Sequence, residues 1–197
     1  MHKGMLIVVS GPSGVGKDTV VGEFLKSSKN CVLSVSATTR SVRAGEVHGR
    51  DYYYLKREDF IKKAENAQML EWAEYNGNFY GTPKDTVERE RRAGRHVILI
   101  IEVKGAMDVR KTCPEAVLVF IAPPSMNTLR ERLLGRGSDD LDSIKRRLEI
   151  ARWEMEKAKL YDYIITNEDY KICAADFNTV INAAALSPRH ADLLTRL

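Results

Sequence analysis

No segment of this 197-residue chain comes near the roughly 20 consecutive apolar residues that a membrane-spanning helix requires, and Met1 to Met5 is too short and too polar for a secretion signal. Cysteine is scarce: Cys31, Cys113 and Cys173 stand far apart with no CxxC pair. That spacing argues against a disulfide framework and a zinc site and predicts reduced thiols, so cytoplasmic residence is the expectation. Neither sign of charge dominates, since 31 basic and 27 acidic residues leave a net charge of +4. Such a balance describes an ordinary solvated surface, and neither a nucleic-acid partner nor a membrane partner is expected. Internal repeats and low-complexity tracts are lacking too, although Ser187-Pro188 reads as a break before a short C-terminal segment. What is present, 44% hydrophobic residues, suffices for one buried core and argues against disorder.

Glycine is concentrated where it matters. Positions 11, 14 and 16 fall within Gly11-Pro12-Ser13-Gly14-Val15-Gly16-Lys17-Asp18-Thr19, directly after the apolar run Met5 to Ser10 and before a helix-like stretch through Leu25. Strand, glycine loop and helix in that order let backbone N–H groups turn inward around an anion, with the positive end of the helix behind them. Lys17 then reaches the β- and γ-phosphates of a nucleotide. This P-loop pattern asks for Ser or Thr immediately after the lysine to hold magnesium; here Asp18 occupies that place and Thr19 follows it. Asp18 is therefore the candidate Mg2+ contact, directly or through water.

Four apolar runs, Met5 to Val9, Cys31 to Val35, Val97 to Val103 and Val117 to Ile121, together with Tyr163 to Thr166, lack polar alternation. They read as strands buried on both faces, hence parallel. With helical stretches between them, the expected fold is α/β: a P-loop NTPase-type parallel sheet flanked by helices, with ligands at the carboxyl ends of the strands.

From Ser34 to Thr82 the texture turns polar and aromatic and predicts an inserted subdomain. Arg40 and Arg43 precede Tyr52-Tyr53-Tyr54, and forked guanidinium donors with phenolic hydroxyls suit a second phosphate. The alternative is a surface hairpin whose tyrosines pack on their own small core. Glu71, inside Met69 to Tyr75, is a carboxylate on a part-buried strand and needs donors. A guanine edge offers two adjacent ones, N1–H and the 2-amino group, which adenine lacks; a salt bridge to a nearby Lys or Arg is the competing account. Thr82 as N-cap and Pro83 as first helical residue are expected to start a helix that Gly94 ends. Glu102 closes the predicted Val97 to Val103 strand, facing a base, a metal or solvent. Ser125 caps a helix that runs to Gly135-Arg136-Gly137, and Leu141, Ile144, Leu148, Ala151, Met155 and Ala158 form a helical core stripe. Arg136 on the glycine loop and Arg147 off the stripe suit a lid that closes over phosphates, against the alternative of solvated surface arginines.

These stretches, in order over about residues 5 to 170, resemble the guanylate kinases, P-loop enzymes that move a phosphoryl group from ATP to GMP. The resemblance rests on the glycine loop and on Ser34-Val35-Ser36 with Thr38-Thr39-Arg40 and Arg43-Ala44-Gly45-Glu46. It continues through Gly49 with Asp51-Tyr52-Tyr53, Glu71-Trp72-Ala73, Gly77-Asn78 with Tyr80-Gly81-Thr82, Ala122-Pro123-Pro124-Ser125, and Leu134 to Gly137 with Arg147-Leu148. It implies that Ser36, Arg40, Arg43, Tyr52 and Tyr80, with Glu46 beside them, hold the GMP phosphate region, and that Glu71, Thr82 and Glu102 hold the guanine. Gly11 through Thr19 would hold ATP, with Asn167 beside the adenine. Lys17, Arg43, Arg136 and Arg147 would carry catalysis, Mg2+ would accompany ATP, and dGMP would join GMP as an acceptor. The implied parts are a core of about 1–34, 83–125 and 148–197, a GMP-binding subdomain of about 35–82 and a mobile lid of about 126–147. Three positions depart from the family pattern: Asp18 replaces the usual Ser, Thr or Gly, Ile100 stands where a carboxylate is usual, and Lys104 where glutamine is usual. Two rival readings are a kinase of a related acceptor such as a ribose bisphosphate, which needs no guanine-reading residues, and a guanylate-kinase-like binding module with little catalysis.

Overall fold

The structure, a computed structural model, describes residues 3–135 and 140–190. Five strands, β1 (Leu6–Ser10), β2 (Cys31–Leu33), β7 (His96–Ile100), β8 (Val117–Ala122) and β9 (Tyr163–Thr166), form one sheet in the order β2-β7-β1-β8-β9, and every pairing in it is parallel. Both faces are covered, which is why these segments lack polar alternation. Along β1 the period of two divides the side chains: Ile7 and Val9 join Phe24, Leu129, Ile144 and Phe177 on one face, while Leu6 and Val8 join Val87, Val103, Ala106 and Tyr161 on the other.

The first face is roofed by α1 (Lys17–Ser27), α5 (Met126–Leu134), α6 (Leu141–Lys157) and α7 (Tyr170–Ala185), the second by α3 (Lys84–Arg92) and α4 (Val103–Thr112). Phe24 and Phe177 meet edge to face with centroids 5.0 Å apart and fix α1 against α7. Burying such a ring contributes about 1.5–3 kcal/mol.

The segment between β2 and α3 builds a second sheet, ordered β4-β3-β6-β5, from β3 (Ala37–Thr38), β4 (Tyr53–Tyr54), β5 (Met69–Tyr75) and β6 (Asn78–Pro83), with α2 (Arg57–Glu65) packed on it. Its own core is small: Ala37, Phe60, Met69 and Phe79, with Tyr53 and Leu55 at the margin. Asn76-Gly77 joins β5 to β6 with positive φ at both residues, 48° and 73°, the backbone a two-residue hairpin prefers.

Several expected boundaries move. The run Val97 to Val103 is not one strand: β7 stops at Ile100, Glu102 sits at the N-cap of α4, and Val103 is the first residue of that helix. Val103 is apolar because it packs under the sheet, and a continuous apolar run does not distinguish a strand from the buried start of a helix. The Cys31 to Val35 strand ends at Leu33. Thr82 does not cap α3; it belongs to β6, its hydroxyl is committed to Glu71, and Pro83 takes the N-cap place without a side-chain bond. Leu141 leaves the core stripe, being 67% exposed, while Ile144 and Ala151 stay within it. Ser125 caps α5 as expected, its Oγ accepting from Thr128 N–H at 3.0 Å.

Candidate active site

The glycine loop joins the carboxyl end of β1 to α1, so its shape is set by what lies beneath it. Gly16 is the N-cap of α1 at φ 96°, a conformation that a side chain opposes. A Cβ there would also stand 2.7 Å from Asn167 Nδ2. Asn167, only 4% exposed, donates that amide to Val15 O at 2.7 Å. Arg132 of α5 donates to Val15 O at 3.3 Å and to Asn167 O at 2.9 Å. Two donors from distant parts of the chain thus fix one loop carbonyl, while Val15 N–H closes the turn onto Pro12 O at 3.2 Å. Lys17, the first residue of α1, donates its Nζ to Gly11 O at 2.6 Å and Pro12 O at 3.1 Å.

Facing this loop is the second sheet, and a cleft of about 380 Å³ lies between them, within the size range of small-molecule sites. Lys17, Asp18 and Ile100 line one side; Ser36, Tyr52, Glu71 and Tyr80 line the other; Glu102 and Lys104 come from the start of α4. Thr82 lines an adjoining recess with Asp18, Ser36 and Tyr52.

Glu71 is the most constrained carboxylate of the cleft. Its Oε1 accepts from Thr82 Oγ1 at 2.6 Å, and no Lys or Arg pairs with it among the described residues, so the salt-bridge account of Glu71 does not hold. Burial pushes its carboxyl up, the Thr82 hydroxyl opposes that, and the charge of Glu102 adds to it. Gly105 of α4 stands against the other oxygen, where a Cβ would lie 2.9 Å from Oε2.

Glu46 is a junction. Arg40 forks onto it, Nη1 to Oε2 at 3.0 Å and Nη2 to Oε1 at 2.8 Å. Arg43 N–H donates at 2.8 Å and Tyr54 O–H at 2.7 Å. Arg40 first, then those two donors, hold the Glu46 carboxyl down at about 2. The Arg40 guanidinium in turn stands 5.5 Å from the Tyr52 ring centroid and 5.8 Å from that of Tyr54. The tyrosine cluster therefore divides: Tyr53 packs toward the small core, as the hairpin alternative expects, while Tyr52 and Tyr54 hold an arginine.

The structure brings Lys17, Asp18, Ser36, Tyr52, Glu71, Tyr80 and Glu102 to one cleft. Arg40 stands behind Tyr52, Glu46 anchors Arg40, and Arg43 is exposed on the same loop. Arg147 is half-buried on α6 outside the cleft lining, and Arg136 lies outside the described residues. Sequence reasoning missed Arg132 and Gly105. A glycine inside a helix costs about 1 kcal/mol against alanine, so Lys104-Gly105-Ala106 carried a signal of close packing; Arg132 carried none.

A family model described as Guanylate kinase matches residues 3–184. A guanylate kinase of Carboxydothermus hydrogenoformans is 46% identical over 98% of this chain and 94% of its own. One of Synechocystis is 50% identical over 85% of this chain and 87% of its own. The crystal structure of guanylate kinase from Anaplasma phagocytophilum superposes with a TM-score of 0.75 at 35% identity, covering 96% of this chain and 90% of that one. With the glycine loop, the facing sheet and the Glu71–Thr82 pair in place, the chain belongs to the guanylate kinase family.

Proposed function

We propose that the chain transfers the γ-phosphoryl group of ATP to the phosphate of GMP, giving ADP and GDP, as a step of purine nucleotide metabolism in the cytoplasm. The observation that carries this reading is the opposition of Lys17 to the hydrogen-bonded pair Glu71–Thr82 across one cleft. One wall suits polyphosphate; the other presents a buried carboxylate suited to the paired N–H donors of guanine. A ribose bisphosphate acceptor has no paired N–H donors to offer that carboxylate, which disfavours the first rival. Lys17 in the cleft disfavours the binding-module rival.

Gly11 to Thr19 bind the ATP phosphates through backbone N–H groups and Lys17, with Asn167 toward the adenine. Ser36, Arg40, Arg43, Tyr52 and Tyr80 fix the acceptor phosphate, Glu46 holding Arg40 in aim. Glu71, Thr82 and Glu102 read the base, which GMP and dGMP share, so dGMP joins GMP as an acceptor. Arg136 and Arg147 act from a lid, about residues 126–147, that closes over the transferring group. The acceptor phosphate is already ionised, so no general base is needed; positioning and neutralisation of charge carry the barrier reduction.

Among the described residues no group of three acidic, histidine or cysteine side chains stands ready for a metal. Mg2+ needs no such cage, since it keeps several waters and uses one or two carboxylates plus substrate phosphates. Exposed Asp18 in the cleft fits that demand and would hold the ion, which would supply charge neutralisation at the ATP phosphates. Replacing Asp18→Ser is expected to raise the magnesium concentration for half-maximal turnover; an unchanged magnesium dependence removes Asp18 from this role. The function itself is tested by ADP release with ATP and Mg2+ against GMP, dGMP, AMP, CMP and UMP. Turnover with the two guanine nucleotides alone is expected; turnover without base preference would overturn the guanine-reading assignment.

A further inference from the structure

Helix α6 carries a carboxylate for which the mechanism above has no use. Glu154 is 7% exposed and makes no hydrogen bond or ion pair among the described residues. It follows Arg147 by seven positions, nearly two full turns, so the two side chains leave one face of α6 about 10.5 Å apart along its axis. The charged and titratable groups that face it come from three other elements: Lys17 at the start of α1, Glu102 at the start of α4, and Tyr161 just before β9. Beneath lie the Tyr161 hydroxyl and Ser10 Oγ, both buried and close to each other, with no other partner among the described residues. Ser10 is the last residue of β1 and the first step into the glycine loop. A carboxylate without a hydrogen-bond partner, set above a phenol and a hydroxyl that have each other as neighbours, forms an arrangement that packing alone does not favour; such sets persist at functional sites.

We propose that Glu154 is the positioning residue of Lys17: when nucleotide phosphates draw the ammonium away from Gly11 O and Pro12 O, the Glu154 carboxylate holds it from the α6 side and aims it at the phosphates. The opposite flank of the cleft offers Ile100, which has no charge to share this task. Because Arg147 rides on the same helix face, one element sets the distance between the phosphate lysine and a lid arginine. Burial first, and the Glu102 charge after it, push the Glu154 carboxyl up to about 7 against the pull of Lys17. Hold on Lys17 is accordingly lost as the pH falls below that value.

The inference rests on the P-loop reading of Lys17, and its test separates the two. Direct titration of the whole protein with ATP and Mg2+, without GMP, is compared between wild type and Glu154→Gln from pH 6 to 8.5. Wild type is expected to lose ATP affinity more steeply than the variant on going to low pH. At pH 8 the variant is expected to bind about tenfold more weakly, one unit of pKa coupling, while Glu154→Asp recovers part of the loss. GMP affinity, measured separately, is expected to stay unchanged, and the variant is expected to melt higher than wild type at pH 8, since a buried unpaired charge has been removed. Equal ATP affinity and parallel pH profiles in wild type and Glu154→Gln would overturn the proposal. So would a loss shared equally by ATP and GMP. If ATP fails to bind wild type at any pH, the P-loop reading fails instead.

Discussion

The two walls of the cleft are built by opposite means. On the glycine-loop side the wall is backbone: residues 11–16, proposed to hold ATP, are shaped by a strand end, a helix start and donors to Val15 O, all seated on a core of fully buried Ile7, Val9, Phe177 and Ile121. On the acceptor side the site is side chains holding one another, with Arg40 on Glu46, Tyr54 on Glu46 and Thr82 on Glu71, above a core of only four buried residues. A backbone site is stiff and specific for phosphate charge, which every nucleotide carries. A side-chain network can be specific for one base, and it fails piece by piece. Substitutions should therefore break the donor side in one step and the acceptor side in graded ones.

The largest expected effect is on the donor wall. Lys17→Met should lower kcat/KM by about 10³-fold, the scale of losing a positioned charge at the transferring group, with the melting temperature nearly unchanged because the part-buried Lys17 Nζ donates to loop carbonyls rather than packing in the core. Steady-state kinetics beside a thermal melt checks both halves; residual activity above a tenth of wild type would deny the lysine its role.

On the acceptor wall Glu71→Gln should be next, raising the KM for GMP about 10²-fold with the KM for ATP intact. A Gln amide offers one acceptor and one donor where two acceptors are needed, and a buried mismatch of that kind discriminates strongly. Equal losses for both substrates would mean that Glu71 supports the subdomain rather than reading a base.

Smaller again is Glu46→Gln, which loosens Arg40 without removing it and should raise the KM for GMP about tenfold, the scale of one charge-assisted bond. Its pH signature has a definite sign. The Glu46 carboxyl sits at about 2 against an ordinary 4.5, so its contribution to stability is complete above pH 4.5 and is lost as the pH falls toward 2. Melts from pH 7 to 3 should show wild type losing more stability than the variant; parallel curves would show that the pair holds nothing together.

This contrast also decides what the chain disclosed before folding. Gly11, Gly14, Gly16 and Lys17 are legible because a backbone site depends on glycine at fixed offsets, and the parallel sheet is legible because strands buried on both faces lose their polar alternation. Glu46 was readable as a site residue, but its partners were not: the bonds from Arg40, the Arg43 amide and Tyr54 depend on how a loop folds on itself. The dual life of Thr82 was missed for a related reason. Thr-Pro is a helix-start signal by local chemistry, and a tertiary partner, Glu71, claimed the hydroxyl first. Arg132 was out of reach because its bonds to Val15 O and Asn167 O join segments distant in sequence.

Gly105 gives the finest test, since it sets local propensity against the site. Within the first turn of α4 a glycine destabilises the helix by up to about 1 kcal/mol relative to alanine, and Gly105→Ala removes that penalty. The new Cβ would lie 2.9 Å from Glu71 Oε2, closer than packed atoms stand, so the carboxylate must shift by a few tenths of an ångström while its other oxygen stays tied to Thr82. Stability and function should then part: a melting temperature equal to wild type or about 2–4 °C higher, with the KM for GMP raised severalfold and the KM for ATP unmoved. Should the variant keep its GMP affinity, Glu71 has more slack than the hydrogen bond to Thr82 suggests, and the acceptor wall is softer than a base-reading site can be. Should it melt lower, the cost of moving Glu71 exceeds the helix gain, and the glycine is there to let α4 and the second sheet approach rather than to serve the substrate.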